Sequence, residues 1–370
     1  MKFIVIRLLT NSPDPDTGRR ASATEVLGDA IEEASYFEEL GFDGYGIGEH
    51  HIDDAEASSP AVILGYLAAS TKRIRLFTGV TVLSLLDPVR VAEDYATVDV
   101  LSGGRVDLII GKGNTEEQSK VFGYTNDDQW ERNRENYELL HRLLREEQVT
   151  WDGFYRPALH SFTSRPRPVQ QPIRVWHGSA TSTQSTDLAA KWGDPLFSAN
   201  VSGPLEQYRT LVDDYRKRWV DYGRNPADAL VGAGSAGLHV HRDSQRAIDE
   251  FRPRYEAQQA FARRLGVPPI FTSLEDAIGR GSYFVGSPAQ VTDQVYRYHD
   301  ALGHEVQHTA GIGRPDDPIS RAGIELFASD VLPHLQRDIP DRLWDRWPSS
   351  GTHDITDSIG NERNTDDHHH

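Results

Sequence analysis

The chain has no cysteine, so disulfides, thiol nucleophiles and iron–sulfur ligation are all excluded. That absence is compatible with the cytoplasm, where the protein is expected to reside. Methionine occurs once, which would suit a protein that handles peroxides; codon bias is the blander cause. No run of eighteen apolar residues occurs, and Met1-Lys2-Phe3-Ile4-Val5 reads as a first strand. Neither a membrane span nor a signal peptide is therefore expected. Positive charge is scarce: 39 Lys and Arg stand against 56 Asp and Glu, a net charge of −17. Nucleic acid and anionic membranes are poor partners for such a surface. No glycine-rich dinucleotide turn follows the first strand, where Thr10–Pro15 stands instead. No His-x-His pair follows it either, so no metal site is expected.

What remains is an ordinary globular composition, 38% hydrophobic and 26% charged over 370 residues, enough for one large α/β domain. Strand-like and helix-like segments alternate throughout, the pattern of parallel strands joined by crossover helices. Strands are predicted at Phe3–Leu9, Phe42–Ile47, Ile74–Leu83, Val106–Ile110, Ile173–His177, Pro195–Asn200, Leu230–His241 and Val306–Ile312. Pro88 is expected to open a helix at its first turn. A single helix is predicted over Ile319–Leu335. The loop Thr10–Ser22 is long and expected to lie over a functional face, and the proline-rich stretch Phe154–Pro172 shows no period. Eight strand–helix pairs point to a (β/α)8 TIM barrel over residues 1–337, with a mobile Gly- and Pro-rich insertion at about 264–282. Residues 338–370 read as a tail whose His368-His369-His370 end derives from a purification tag.

Gly48-Glu49-His50-His51 follows the second strand, at the strand's carboxyl end where α/β folds place their chemistry. Imidazoles exchange protons near neutral pH. Neighbours on an extended backbone point oppositely, so one histidine faces a ligand while the other packs or orients. Lys112 stands between two glycines after the fourth strand. Thr181, Ser182 and Ser185 mark a helix start, a ready anion site. Arg132 and Arg134 are read as solvated. Trp176, His177, Phe197, Tyr283 and Phe284 are candidate walls of a substrate space, and the apolar Ser84-Leu85-Leu86 loop hints at a hydrophobic substrate.

Seven short motifs in order resemble the bacterial-luciferase-like flavin monooxygenase family. They are Leu40-Gly41-Phe42-Asp43, Glu49-His50-His51, Asp87–Asp94, Ser102-Gly103-Gly104-Arg105, Gly111-Lys112-Gly113, Val285–Pro288 and Phe327–Pro333. The resemblance implies a TIM barrel that binds reduced FMN supplied by a separate flavin reductase and reacts it with O2 through a C4a-hydroperoxide. It implies His50 as catalytic acid/base with Glu49 and His51 in support. It further implies a cis peptide in Thr78-Gly79-Val80 beneath the flavin, and phosphate contacts from Lys112, Ser182 and Ser185, with Thr181 beside them at the helix start. A homodimer is expected, with a small, hydrophobic organic substrate. Two rivals share the barrel: a deazaflavin-dependent hydride-transfer oxidoreductase, and a flavin-binding protein without turnover.

Overall fold

The computed structural model describes residues 1–13, 18–113, 115–264, 268–341 and 343–344. Asp14–Thr17 of the long first loop, Asn114, Gly266 of the insertion and the tail from residue 345, including its terminal histidines, lie outside the described residues.

The main sheet has nine strands, the short Thr81–Val82 and eight parallel ones that form the barrel: β1 (Lys2–Arg7), β2 (Gly44–Ile47), β3 (Arg75–Thr78), β4 (Val106–Gly111), β5 (Arg174–Ser179), β6 (Leu196–Ser198), β7 (Val231–Ala233) and β8 (Val306–His308). Their order is β3-β2-β1-β8-β7-β6-β5-β4, and β3 also pairs with β4, so the sheet closes. This is the expected barrel. All four residues of β2 and of β3 are buried, so neither strand has the in–out alternation of a sheet with one solvated face.

Two compact units make up the chain. The first comprises Met1–Ile6, Tyr36–Tyr45 and Val175–Asp341. Within it β8 pairs with β1 (Lys2 opposite Val306) and with β7 (Gly232 opposite Val306). The second comprises Arg7–Ser35, Gly46–Arg174 and the described residues after 341. Here Leu76 of β3 lies opposite Val106 of β4.

Local chemistry sets the helix ends. Asp87 accepts the backbone N–H of Val89 at 2.8 Å, Pro88 takes the first turn, and Gly103 ends the helix Pro88–Ser102 at φ +68°. That left-handed turn costs glycine least. Buried Arg105 then donates to the carbonyls of Ala68, Thr71, Ile74 and Ser102 and to Thr71 Oγ1. One guanidinium thus satisfies carbonyls that the end of the helix Pro60–Ser70 leaves open.

Four expectations need correction. The third strand does not run through Leu83: it breaks after Thr78, and Thr81–Val82 resumes as a short strand beside β4. The seventh divides into β7 and a separate strand, Gly237–Val240, which pairs in parallel with Tyr283–Gly286. The closing helix is two, Pro318–Asp330 and Leu332–Asp338. The proline-rich stretch holds a strand, Leu159–Phe162, paired antiparallel with Val149–Trp151. Periodicity alone does not mark such breaks, because the apolar pattern continues across them. In the insertion, the described part carries a helix, Leu274–Arg280, started by Ser273 Oγ accepting the Asp276 N–H. Its Leu274 and Ala277 join Phe251, Tyr255, Phe271 and Tyr283 in a buried apolar cluster. At the chain end, the Leu343 carbonyl accepts from Arg174 at 2.6 Å, and the Trp344 ring lies 4.9 Å from the Arg75 guanidinium.

Candidate active site

The loop after β2 is fixed by its own backbone. Gly48 N–H donates to the Arg7 carbonyl at 2.9 Å, Glu49 N–H to that of Val80 at 3.2 Å, and His50 N–H to that of Ala57 at 3.0 Å. A side chain at Gly48 would place its Cβ 2.5 Å from Leu8 Cδ2 and 2.7 Å from the Gly79 carbonyl oxygen. The leucine tip could swing aside; the backbone oxygen could not. Gly48→Ala is therefore expected to displace this loop and cost about 1–3 kcal/mol, the range for overpacking. Urea unfolding would check it, and a change below about 0.5 kcal/mol would place it among ordinary surface substitutions and contradict the clash.

Glu49 is buried, and its carboxylate has two partners. One oxygen meets His51 Nε2 at 2.9 Å and the other accepts the Val82 N–H at 3.0 Å. His51 is held further by the edge of Phe122, the ring centres 4.7 Å apart. His50 differs. Its Nδ1 is buried and has no hydrogen-bond partner among the described residues. Burial lowers the imidazole's pKa below its ordinary 6.5, outweighing the Glu49 carboxylate, which raises it, while neighbouring His51 adds to the lowering. One histidine is thus locked by a carboxylate and the other left with an open ring nitrogen. That is the division of labour expected for adjacent residues on an extended backbone.

The same loop touches the break in the third strand. The peptide bond joining Gly79 to Val80 is cis. Thr78 is wholly buried, its hydroxyl bridging the carbonyl and amide of Ile109 at 2.9 and 3.0 Å. A Cβ at Gly111 would lie 2.9 Å from Val80 Cγ2. Glycine backbone therefore closes on this segment from Gly48 on one element and Gly111 on another.

Lys112 is half-buried. Its Nζ donates to the Gly113 carbonyl and to Gln129 Oε1, both at 3.1 Å, and no carboxylate pairs with it among the described residues. Burial lowers its pKa. A cation surrounded only by neutral acceptors is suited to receive an anion.

The first unit holds the other predicted group by itself. Ser182 caps the helix Thr183–Trp192 without a side-chain bond to its first turn. Its own N–H donates to Ser179 Oγ, whose hydroxyl donates in turn to the Ser182 carbonyl. Ser185 is buried and Thr181 exposed.

Several predicted roles change. Arg132 is not solvated: it is 3% exposed, donates to the Ser84 carbonyl at 2.6 Å and to Asp128 at 2.7 Å, and lies over the Tyr124 ring. Arg134 is exposed as expected. Ser84 and Leu85 are buried. Trp176, His177, Phe197, Tyr283 and Phe284 are all core residues. One buried polar layer lies outside the sequence expectations. Gln129, Arg132 and Asn136, spaced three and four apart on the helix Gln129–Arg145, hold the loops after β3 and β4. They donate to the carbonyls of Lys112, Ser84, Leu83 and Leu86. Polar residues at core-face spacing were the available signal.

A family model described as luciferase-like monooxygenase matches residues 1–305. The chain belongs to the luciferase-like monooxygenase family. It is 28% identical over 334 residues to 4-hydroxyprotoasukamycin monooxygenase of Streptomyces nodosus subsp. asukaensis, spanning 82% of this chain and 86% of that one. Over 337 residues it is 32% identical to an F420-dependent glucose-6-phosphate dehydrogenase of Kineococcus radiotolerans, spanning 86% and 96%. In fold it is similar to the oxygenating constituent of 3,6-diketocamphane monooxygenase from Pseudomonas putida, solved in complex with FMN. There the TM-score is 0.71 at 19% identity, over 90% of this chain and 98% of that one. This luciferase-like protein is thus an enzyme of the oxidoreductase class. No helix among the described residues is long and apolar enough to cross a membrane.

Proposed function

We propose that this luciferase-like protein is the oxygenase component of a two-component flavin monooxygenase. It would take reduced FMN from a separate reductase, bind it with O2, and insert one oxygen atom into a small, apolar organic substrate. The second oxygen atom leaves as water, and the flavin is released oxidised, which balances the reaction. The observation that carries this reading is the buried Nδ1 of His50, unpartnered among the described residues, in the loop whose Gly48 and Glu49 backbone meets Gly79–Val80. Reduced FMN, when bound, would supply the two electrons and the activated oxygen.

The protein's residues do the rest. His50 holds or moves a proton at Nδ1, and its lowered pKa keeps the ring neutral and ready to accept one at neutral pH. Glu49 supports it by fixing His51 and the Val82 amide, so the loop keeps its geometry without solvent reorganisation. Gly79 and Val80 offer backbone to the cofactor ring, with Thr78 anchoring their approach. Lys112 is proposed as a phosphate contact. In the other unit, Thr181, Ser182 and Ser185 keep the same proposed role at their own helix start, where free backbone N–H groups attract anions.

The F420-dependent relative supports a second reading, hydride transfer with a deazaflavin. Anaerobic titration separates the two. Saturable binding of reduced FMN, followed by fast oxygen consumption once a flavin reductase is added, supports the oxygenase. Oxidation of reduced F420 without O2 uptake supports the alternative. Stoichiometric NADPH oxidation by the purified chain alone would overturn the two-component reading.

We further propose a cytoplasmic homodimer. The eleven-residue helix Pro60–Ser70 carries no charge, yet leaves Val62 74% and Tyr66 62% exposed. Sedimentation equilibrium should report a dimer, weakened by Tyr66→Asp.

A further inference from the structure

A chain carrying 56 carboxylates has ample polar surface with which to cover the rim of its site. Around the loop Gly48–His51 it instead leaves large apolar side chains in water. Leu8 is 44% exposed, and its Cδ2 approaches Gly48 closely enough to contact any Cβ there. Ile52, directly after His51, is 40% exposed. Phe122 is 37% exposed and presses its ring against His51, with Val121 beside it 66% exposed. Leu8 and Ile52 follow β1 and β2, and Val121 and Phe122 end the short helix Glu116–Val121 that follows β4. Contiguous exposed apolar groups at one place mark binding surface, whereas scattered ones do not.

Phe122 has the most informative position. Tyr124, two residues on, is equally exposed but already stacks on the Arg132 guanidinium at 3.9 Å. Phe122 meets only one aromatic neighbour among the described residues, the edge of His51. That histidine is tied through its Nε2 to buried Glu49. Phe122 thus rests against an imidazole that is itself anchored to a buried carboxylate, with part of its ring left in water.

We infer that Phe122, with Leu8 and Ile52, forms the specificity surface of this site and selects a neutral, ring-containing apolar skeleton. An aromatic or alicyclic ring would stack on or abut Phe122, with centroids about 4.5–7 Å apart as aromatic pairs prefer. Charged and sugar-like molecules would lose hydration there without replacement. The inference rests on the site assignment above and adds the substrate class to it.

The test uses 2-naphthol as a neutral aromatic probe, titrated by calorimetry into the full-length protein, with reduced FMN titrated separately under anaerobic conditions. Phe122→Ala should weaken 2-naphthol about tenfold, the scale of losing one buried aromatic contact, and Phe122→Leu should fall between it and the wild type. Leu8→Ser should weaken the probe in the same direction, and glucose should bind none of these proteins measurably. FMN affinity should stay within about twofold throughout, which also shows that the variants fold. Unchanged 2-naphthol affinity in both Phe122→Ala and Leu8→Ser would overturn the inference. So would a shift in the sedimentation mass of Phe122→Ala with its probe affinity intact, since the patch would then be a subunit contact. If FMN fails to bind while the Phe122 dependence holds, the flavin reading is wrong and the apolar site stands.

Discussion

His50→Ala should lower turnover about 10²- to 10⁴-fold while leaving FMN affinity nearly unchanged, the range typical of losing a positioned acid/base. The expectation comes from geometry: Nδ1 is buried and unpartnered, whereas the neighbouring His51 is locked to Glu49. His51→Ala should therefore act mainly on stability and loop order. The pH profile sharpens the distinction. Burial sets the His50 pKa below 6.5, so the ring is neutral above that value and gains its proton as the pH falls through the lowered pKa. If Nδ1 accepts a proton in the reaction, turnover is flat above pH 6.5 and declines on the acid side. The acid limb should vanish in His50→Gln. Stopped-flow oxidation of enzyme-bound reduced FMN, measured from pH 5 to 8, reads both effects. Wild-type rates in purified His50→Ala would remove the residue from the mechanism.

Lys112→Ala should weaken FMN about ten- to a hundredfold and riboflavin hardly at all. A charge-assisted hydrogen bond contributes roughly 1.5–3 kcal/mol, and each 1.4 kcal/mol is a factor of ten in affinity. The lysine's present acceptors are neutral, the Gly113 carbonyl and Gln129 Oε1, so an arriving phosphate meets no competing carboxylate. Replacing the lysine breaks no ion pair among the described residues, and fold stability should be nearly unaffected. Gln129 needs its own control, because its amide also holds the Lys112 carbonyl at 2.7 Å. The double variant of Ser182 and Ser185 examines the helix start in the other unit independently. Equal losses for FMN and riboflavin in Lys112→Ala would show that the lysine does not meet phosphate.

Runs of buried residues and well-placed helix caps made the barrel legible before any coordinates. Pro88 after Asp87, and Gly103 after Ser102, are local signals that need no partner to act. The Gly48–His51 loop was legible for a related reason: glycines release the backbone at a strand's carboxyl end, and the polar side chains there have few structural uses. The breaks in the third and seventh strands were not legible, since hydrophobic order continues through Leu83 and His241 while the pairing partner changes.

The sequence by itself determined the alternation of strands and helices, the family, and the residue types available for acid/base work. These depend on covalent order and on short-range preferences. Only the tertiary structure decided which imidazole is free, because that depends on where the Glu49 carboxylate turns and on Val82 lying within its reach. It also decided that Arg132 is a buried strut rather than a solvated charge. Its guanidinium becomes useful only when the Ser84 carbonyl, 48 residues earlier in the chain, is brought to 2.6 Å. A contact made at such a distance along the chain leaves no local period in the sequence, since its stability comes from packing that neither segment encodes alone.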